Sequence, residues 1–191
     1  MKFTIKSNHL RVVQACVAAA NEKRAYLQGW HVEGSISNPE PVLVGTNGAI
    51  MTTVPIVVTE YDDRDAPSIT IFRPIKISAR KSESIITIDT IARTATYTAG
   101  KTVKVIELVP IEGTYPNWRK VGPDRAWEQG NGVSTIALDP MLLGLVQQAL
   151  QSPAAKLSFG KDEKSMIRVS WLGEAGVNTY VMPMLGWTSE N

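Results

Sequence analysis

Cysteine is nearly absent from this 191-residue sequence, which contains only Cys16. A single cysteine excludes an intramolecular disulfide framework and most cysteine-based zinc sites. Histidine is almost as scarce, and neither His9 nor His31 lies in a pattern typical of a metal or catalytic site. No apolar run approaches the ~18 residues that cross a membrane, and residues 1–6 lack the apolar core of a signal peptide. We therefore expect a cytoplasmic protein with no metal, no cofactor and no membrane partner.

Residues that could carry catalysis have better structural explanations. Asp62, Asp63 and Asp65 lack the glycine and the distal glutamate of a calcium loop, so we interpret them as a solvated acidic loop. Residues 45–48 lack the lysine and the following helix of a phosphate-binding loop. Cys16 falls on the apolar stripe of a predicted helix, where a buried structural cysteine is commoner than a nucleophile. The sequence therefore favours a protein that is not an enzyme.

The composition is globular, with 43% hydrophobic and 20% charged residues. The net charge of +2 says little about partners, but the basic residues are clustered along the chain. One cluster lies between residues 2 and 24 and a second between residues 73 and 83, and each contains a single acid. Such clusters can form a one-sided positive surface, which is typical of proteins that bind nucleic acid.

A strand, a helix and further strands are predicted in this order three times. The first unit (residues 1–62) opens with a strand at 3–6 and a helix that Ser7 or Asn8 would cap through its side-chain oxygen. Later in this unit, Asn47 and Gly48 predict a type I′ hairpin turn, which needs two residues of positive φ. The apolar stripe of the helix consists of Leu10, Val13, Cys16, Val17 and Ala20.

The second unit (residues 67–121) has a predicted strand at 68–72, a short helix at 74–81 and a three-stranded antiparallel meander. The third unit lies within residues 122–191, with a strand at 134–138, a helix capped by Asp139 with Pro140 in its first position, and three more strands. Helices against antiparallel sheets predict an α+β fold. We expect residues 1–121 to form a domain of two units and residues 122–191 a half domain.

Three short motifs suggest a family. They are Val-Gly-Thr-Asn-Gly-Ala-Ile at 44–50, Tyr-Pro-Asn-Trp-Arg-Lys-Val at 115–121 and Tyr-Val-Met-Pro-Met at 180–184. In this order they resemble the Thr-Asp-Gly-His-Arg hairpin, the Phe-Pro-Asp-Tyr-Arg-Arg-Val junction and the terminal Val-Met-Pro-Met of the bacterial DNA polymerase III beta sliding clamp family. With the repeated units, the resemblance extends over residues 1–187.

The resemblance implies a DNA-clamp-like fold and a role in DNA replication, as a processivity factor that binds duplex DNA without reading its sequence. Clamp chains are longer, and the three units here correspond to about one and a half clamp domains. Shortened clamp-like proteins of this kind are carried by phages and prophages, which implies a mobile-element origin. The DNA contacts would come from basic residues on or beside the first two helices: Arg11, Lys23, Arg24, Lys76, Arg80 and Lys81. The alternative is that these are ordinary solvated charges.

Clamps also hold short peptides of DNA polymerases and other proteins with a clamp-binding motif in an apolar pocket at a domain junction. Ala49 and Ile50 replace the His-Arg of the family, which implies a less polar rim. Methionine suits such a pocket because its flexible thioether repacks around different ligands, although Met182 and Met184 could equally be plain strand residues. Matched position by position, the pocket would consist of Thr46, Gly48, Pro116, Lys120, Val121, Val181, Met182, Pro183 and Met184.

The third predicted helix leaves the oligomeric state open. It has no Lys or Arg between residues 139 and 151, and glutamine does not release counterions from DNA as a cation does. A homo-oligomeric closed ring, an open dimer and a monomer therefore remain alternatives. So does a second function, in which the protein is a decoy that binds a host clamp or its peptide partners without encircling DNA.

Overall fold

The computed structural model describes residues 1–35, 38–61, 70–77, 84–99, 101–120, 136–160 and 165–184. These residues form two antiparallel sheets and two α-helices, α1 (Ser7–Ala15) and α2 (Pro140–Leu150). The predicted α+β class is confirmed. Short 3-10 turns lie at Ala25–Gln28 and Trp118–Lys120.

The first sheet has five strands. Their spatial order is β5 (Val57–Glu60), β1 (Lys2–Lys6), β7 (Ile85–Asp89), β8 (Thr94–Ala99) and β9 (Thr102–Glu107). The last three are the predicted meander. Strand β1 of the first unit pairs along its whole length with β7 of the second, from Lys2 opposite Asp89 to Lys6 opposite Ile85. The first two predicted units thereby share one sheet.

The second sheet has seven strands and draws on all three units. Their order is β10 (Ala155–Ser158), β11 (Ile167–Trp171), β12 (Asn178–Val181), β4 (Ile50–Pro55), β3 (Asn38–Thr46), β2 (Trp30–Ser35) and β6 (Ile71–Phe72). The third unit joins the first through β12 and β4, where Tyr180 lies opposite Met51 and Val181 opposite Ile50. The segments that carry β12 and β4 thus meet within one continuous β-sheet.

One apolar core lies between the sheets and the helices. Helix α1 buries Leu10, Val12 and Val13, and α2 buries Val146 and Leu150. The two helices pack against each other. The sheet approaches α1 closely at Gly45, because a Cβ there would lie 2.1 Å from the carbonyl oxygen of Val13.

A buried chain of polar groups crosses this core. The Sγ of Cys16 lies 3.2 Å from Oγ1 of Thr52, which lies 3.0 Å from Oγ1 of Thr179. Thr179 also accepts a hydrogen bond of 3.1 Å from the indole of Trp171. Burial raises the pKa of the Cys16 thiol to about 12, so it stays protonated and structural, as the sequence predicted.

Helix α1 begins differently from the prediction. Lys6 is the N-cap and supplies no side-chain hydrogen bond, while Ser7 and Asn8 are buried inside the helix. The amide of Ser7 instead donates to the backbone carbonyl of Ser84, at 2.8 Å. The helix also ends at Ala15, before the end of the predicted apolar stripe. Helix α2 follows the prediction, since Oδ1 of Asp139 accepts from the amide of Met141 at 2.9 Å.

The hairpin turn between β3 and β4 is shifted by one residue. Its centre is Gly48 and Ala49, because Thr46 pairs with Met51 and the amide of Asn47 donates to the carbonyl of Ile50. Gly48 has a φ of +95°, but Asn47 does not have a positive φ. The type I′ prediction is therefore wrong. Asn47 instead accepts from the amides of Ala49 and Ile50 through Oδ1, at 2.9 and 3.0 Å.

Two further elements differ from prediction in the described residues. Residues 74–77 form no helix, and the amide of Ile75 donates to Oε1 of Gln14 on α1; residues 78–81 lie outside the described residues. Residues 136–138 form no strand, although the carbonyl of Ala137 accepts from the amide of Met184 at 2.9 Å; residues 134 and 135 are likewise outside. The first segment is held by a side-chain contact where a helix was predicted. The second makes a single backbone hydrogen bond where a strand was predicted.

Glu174 links the β11–β12 turn to the start of α1 through its carboxylate. One carboxylate oxygen accepts from Nδ2 of Asn8 at 3.0 Å, and the other lies 2.8 Å from Nε2 of His9. His9 and Glu174 keep only 11% and 15% of their side-chain surface exposed. Removing this carboxylate would leave two nearly buried polar side chains without their partner.

We expect Glu174→Ala to lower the free energy of unfolding by about 1–3 kcal/mol, the usual cost of stranding buried hydrogen-bonding groups. Urea denaturation measures this. Glu112→Ala is the matched control, because Glu112 is exposed in a loop, and it should change stability by less than about 0.5 kcal/mol. Equal effects of the two substitutions would contradict this role of Glu174.

Candidate partner-binding site

A pocket of about 220 Å³ opens where three distant segments meet. The segments are the β3–β4 turn, the stretch around Pro116 and Trp118, and the end of β12. The loop before β2 completes the wall. The lining residues are Arg24, Tyr26, Leu27, Thr46, Gly48, Ala49, Ile50, Met51, Pro116, Trp118, Met166, Tyr180 and Met182.

The floor of the pocket belongs to a small buried cluster, separate from the main core, that includes Val44, Met51, Tyr115, Trp118 and Tyr180. Tyr115 stacks on His31 of β2, with ring centroids 4.5 Å apart and planes 13° apart. Burial lowers the pKa of His31 and raises the pKa of Tyr115. Both rings are therefore neutral at neutral pH, so this ring pair places no charge beneath the pocket.

Glu33 of β2 holds the 3-10 turn that carries Trp118. Its carboxylate accepts from the indole Nε1 of Trp118 at 2.7 Å and from Nε of Arg119 at 2.9 Å. The guanidinium of Arg119 also lies over the Trp118 ring, 4.4 Å from its centroid. Charge-assisted hydrogen bonds are stronger than neutral ones, so Glu33 fixes the orientation of this wall of the pocket.

The rim formed by the hairpin is held by its own side chains. Oγ1 of Thr46 donates to the carbonyl of Ile50 at 2.7 Å and accepts from the amide of Gly48 at 3.1 Å. The amide of Met182 donates to the carbonyl of Ala49 at 2.9 Å. The turn and the end of β12 therefore form one preorganised edge.

Four of the predicted pocket residues come together here: Thr46, Gly48, Pro116 and Met182. Val181 is fully buried in the main core and does not line the pocket. The pocket also does not include Lys120, Pro183 and Met184, of which Pro183 is buried and the other two are exposed. Val121 lies outside the described residues.

Sequence reasoning missed much of the lining. Trp118 and Tyr180 lie inside the motifs at 115–121 and 180–184. These motifs indicated the right segments, although neither residue was predicted to line the pocket. Met166, Tyr26 and Leu27 carry no motif, and only the folded chain brings them to the pocket.

The predicted DNA contacts are spread over several elements. Arg11 is partly buried on α1, and Lys23 is exposed in the loop that follows. Lys76 is exposed in the segment after β6, whereas Arg80 and Lys81 lie outside the described residues. Arg24 belongs to the pocket wall and forms an ion pair with Glu22, with Nε 2.9 Å from Oε1.

Within the described ranges, no group of three or more His, Cys, Asp and Glu side chains is placed to hold a metal ion. No helix in the part of the chain that the structure describes is long and apolar enough to span a membrane. The lining residues themselves make the pocket mainly apolar with a polar rim, which suits binding of a peptide or small ligand.

Two antiparallel sheets with helices packed on them and a pocket at one sheet edge make an α+β architecture of the DNA-clamp class. The chain has the fold of bacterial DNA polymerase III beta sliding clamps. It is similar over 96% of its length to DNA polymerase III subunit beta from Borrelia burgdorferi, solved with a natural product, with a TM-score of 0.63 and 14% identity. The chain spans 62% of the length of that protein.

Two further clamps show the same likeness. The sliding clamp from Pseudomonas aeruginosa, solved with a ligand, matches 96% of the chain at a TM-score of 0.62 and 14% identity, over 66% of its own length. The clamp from Caulobacter crescentus matches 96% at a TM-score of 0.56 and 15% identity, over 65% of its own length. No protein-family model matches the sequence, and no curated protein does.

The role of Glu33 can be tested with two substitutions. Glu33→Ala should lower the free energy of unfolding by about 1–2 kcal/mol, because it leaves the Trp118 indole without its acceptor. Glu33→Gln retains an acceptor oxygen and should lose less. Urea denaturation gives the stability, and amide exchange of residues 115–120 shows whether the turn loosens. Wild-type stability and exchange in the alanine variant would show that other contacts hold the wall.

Proposed function

We propose that this protein is a sliding-clamp-like accessory protein of DNA replication, which docks a short peptide of a polymerase-type partner and keeps that partner on duplex DNA. One observation carries the proposal. On a clamp fold, Thr46, Gly48, Pro116 and Met182 come from three distant segments and line one preorganised apolar pocket. These are positions at which the sequence resembles the clamp peptide site.

The pocket fits an apolar peptide segment. Its walls combine methionine with aromatic rings, and Met182 is 39% exposed beside the opening. Methionine adapts its shape, and aromatic side chains offer large rigid contact areas. A ligand entering this pocket would bury leucine- or phenylalanine-like side chains while its backbone met the polar hairpin rim.

The proposed DNA contact is electrostatic. Lys and Arg contacts to phosphates bind every sequence alike and weaken as salt rises. The exposed Lys23 and Lys76 are available for such contacts, and we assign the same role to Arg11, Arg80 and Lys81. Arg24 is less suited to it because Glu22 neutralises its charge.

A second candidate function is a decoy that binds clamp-seeking peptides, or a host clamp, without encircling DNA. Helix α2 favours it, because α2 packs beside α1 but has no basic residue between Pro140 and Leu150. Its exposed polar residues are Gln147 and Gln148. Peptide binding is common to both functions, so only DNA binding separates them.

Peptide docking predicts that Met182→Ala weakens binding of pentapeptides with leucine and phenylalanine anchors about fivefold, because the substitution removes apolar surface at the pocket opening. Fluorescence anisotropy of fluorescein-labelled peptides measures the affinity. Met141→Ala is the matched control, since Met141 is 71% exposed on α2, outside the pocket. If both variants bind like the wild type, the pocket is not the docking site.

DNA tethering predicts that affinity for a labelled duplex falls steeply with salt. Replacing Lys76, Arg80 and Lys81 together by Gln should reduce the slope of log K against log salt by about 0.9 for each phosphate that is no longer neutralised. Lys101→Gln, in the exposed β8–β9 turn, should leave the slope unchanged. Absence of duplex binding with peptide binding intact would favour the decoy. Light scattering with and without duplex would give the number of chains in each state.

A further inference from the structure

Glu22 and Arg24 form a closed ion pair at the wall of the pocket. Oε1 of Glu22 accepts from the Arg24 backbone amide at 3.1 Å and from Nε at 2.9 Å, and Oε2 accepts from Nη2 at 3.3 Å. The carboxylate therefore lies against one edge of the guanidinium. Arg24 lowers the pKa of the Glu22 carboxyl to about 2, so this acid is ionised at every physiological pH.

The loop holds Glu22 in this position through its backbone. The carbonyl of Glu22 accepts from Nε2 of Gln28 at 2.8 Å, and its amide donates to the carbonyl of Ala19 at 3.0 Å. Gln28 also donates to the carbonyl of Ala20 at 3.0 Å. The backbone of Glu22 is therefore held by contacts within the loop that do not depend on the ion pair.

The end of the same guanidinium lies close to the pocket rim. A Cβ placed on Gly48 would lie 3.7 Å from Nη2 and 3.9 Å from Nη1 of Arg24. Gly48 and Arg24 both line the pocket. A ligand carboxylate that reached Arg24 from the pocket would consequently approach the negative charge of Glu22, which already binds Nη2 of the same guanidinium.

We propose that Glu22 is a specificity-determining residue, which occupies Arg24 as an internal substitute for a ligand carboxylate and so removes any preference of the pocket for an acidic residue beside the apolar anchor of a peptide. This inference rests on the proposed peptide docking. Without Glu22, Arg24 would present a bidentate carboxylate site at the rim. With Glu22, the local charge is balanced, and an added carboxylate gains little.

The test uses two labelled pentapeptides that differ only in an aspartate or an asparagine next to a leucine anchor. The wild type should bind both within about twofold, and Glu22→Gln should prefer the aspartate form about three- to fivefold, the range of an exposed ion pair. High salt should abolish the preference because the charges are exposed. The double variant Glu22→Gln, Arg24→Gln is the control and should show no preference.

A small probe keeps the inference testable independently of peptide docking. N-acetyl-leucine carries one apolar side chain and one carboxylate, and N-acetyl-leucinamide lacks the charge. Titrated against the Nε–H resonance of Arg24, the acid should give a saturable shift in Glu22→Gln and a much weaker one in the wild type. The inference would be overturned by equal shifts in both proteins or by no shift in either. It would also be overturned if the wild type preferred the aspartate peptide more strongly than the variant does. Loss of peptide binding with the Arg24 shift retained would count against the docking function alone.

Discussion

The pairing of β4 with β12 is the contact on which the rest of the structure depends. It makes the third unit part of the sheet of the first, with Tyr180 opposite Met51 and Val181 opposite Ile50. Behind these strands, Thr52 and Thr179 share a buried hydrogen bond, which Cys16 and Trp171 extend. Each hydroxyl has a partner, and this is the condition under which buried polar groups specify a single register without a net penalty.

The pocket is a direct result of this pairing. When β4 and β12 lie side by side, the turn before β4 and the chain leaving β12 meet at one edge, where Met182 bonds to Ala49. The segment around Trp118 closes the space from the third side, held by Glu33. The geometry of the candidate site is therefore set largely by backbone hydrogen bonds and one carboxylate.

Features encoded by local sequence were predictable. The meander β7–β9 follows from alternation, and the start of α2 follows from Asp139 and Pro140, because each signal acts within a few residues. The cap of α1 was not predictable, since its acceptor is the carbonyl of Ser84. The hairpin centre was misplaced because the Asn47 side chain bonds to the turn and keeps its own φ negative.

The candidate site was predictable in part for the same reason. The motif at 180–184 located the pocket, but strand alternation sends Val181 to the core while Tyr180 and Met182 face the pocket. That alternation was readable in the sequence. The position of Arg24 in the pocket wall was not predictable, because a cluster of charges in the sequence does not indicate where each side chain points. The pairing of two units was not predictable either, because it leaves no periodic pattern in the sequence.

The start of α1 has a consequence for how the chain folds. Nine residues without a side-chain cap make a helix that is marginal alone in water. Its first amide needs Ser84, and its first turn needs Glu174, which lies 165 residues after His9. The contacts that stabilise α1 therefore come from distant parts of the sequence, and the helix gains them only when the segments that carry Ser84 and Glu174 have come together with it.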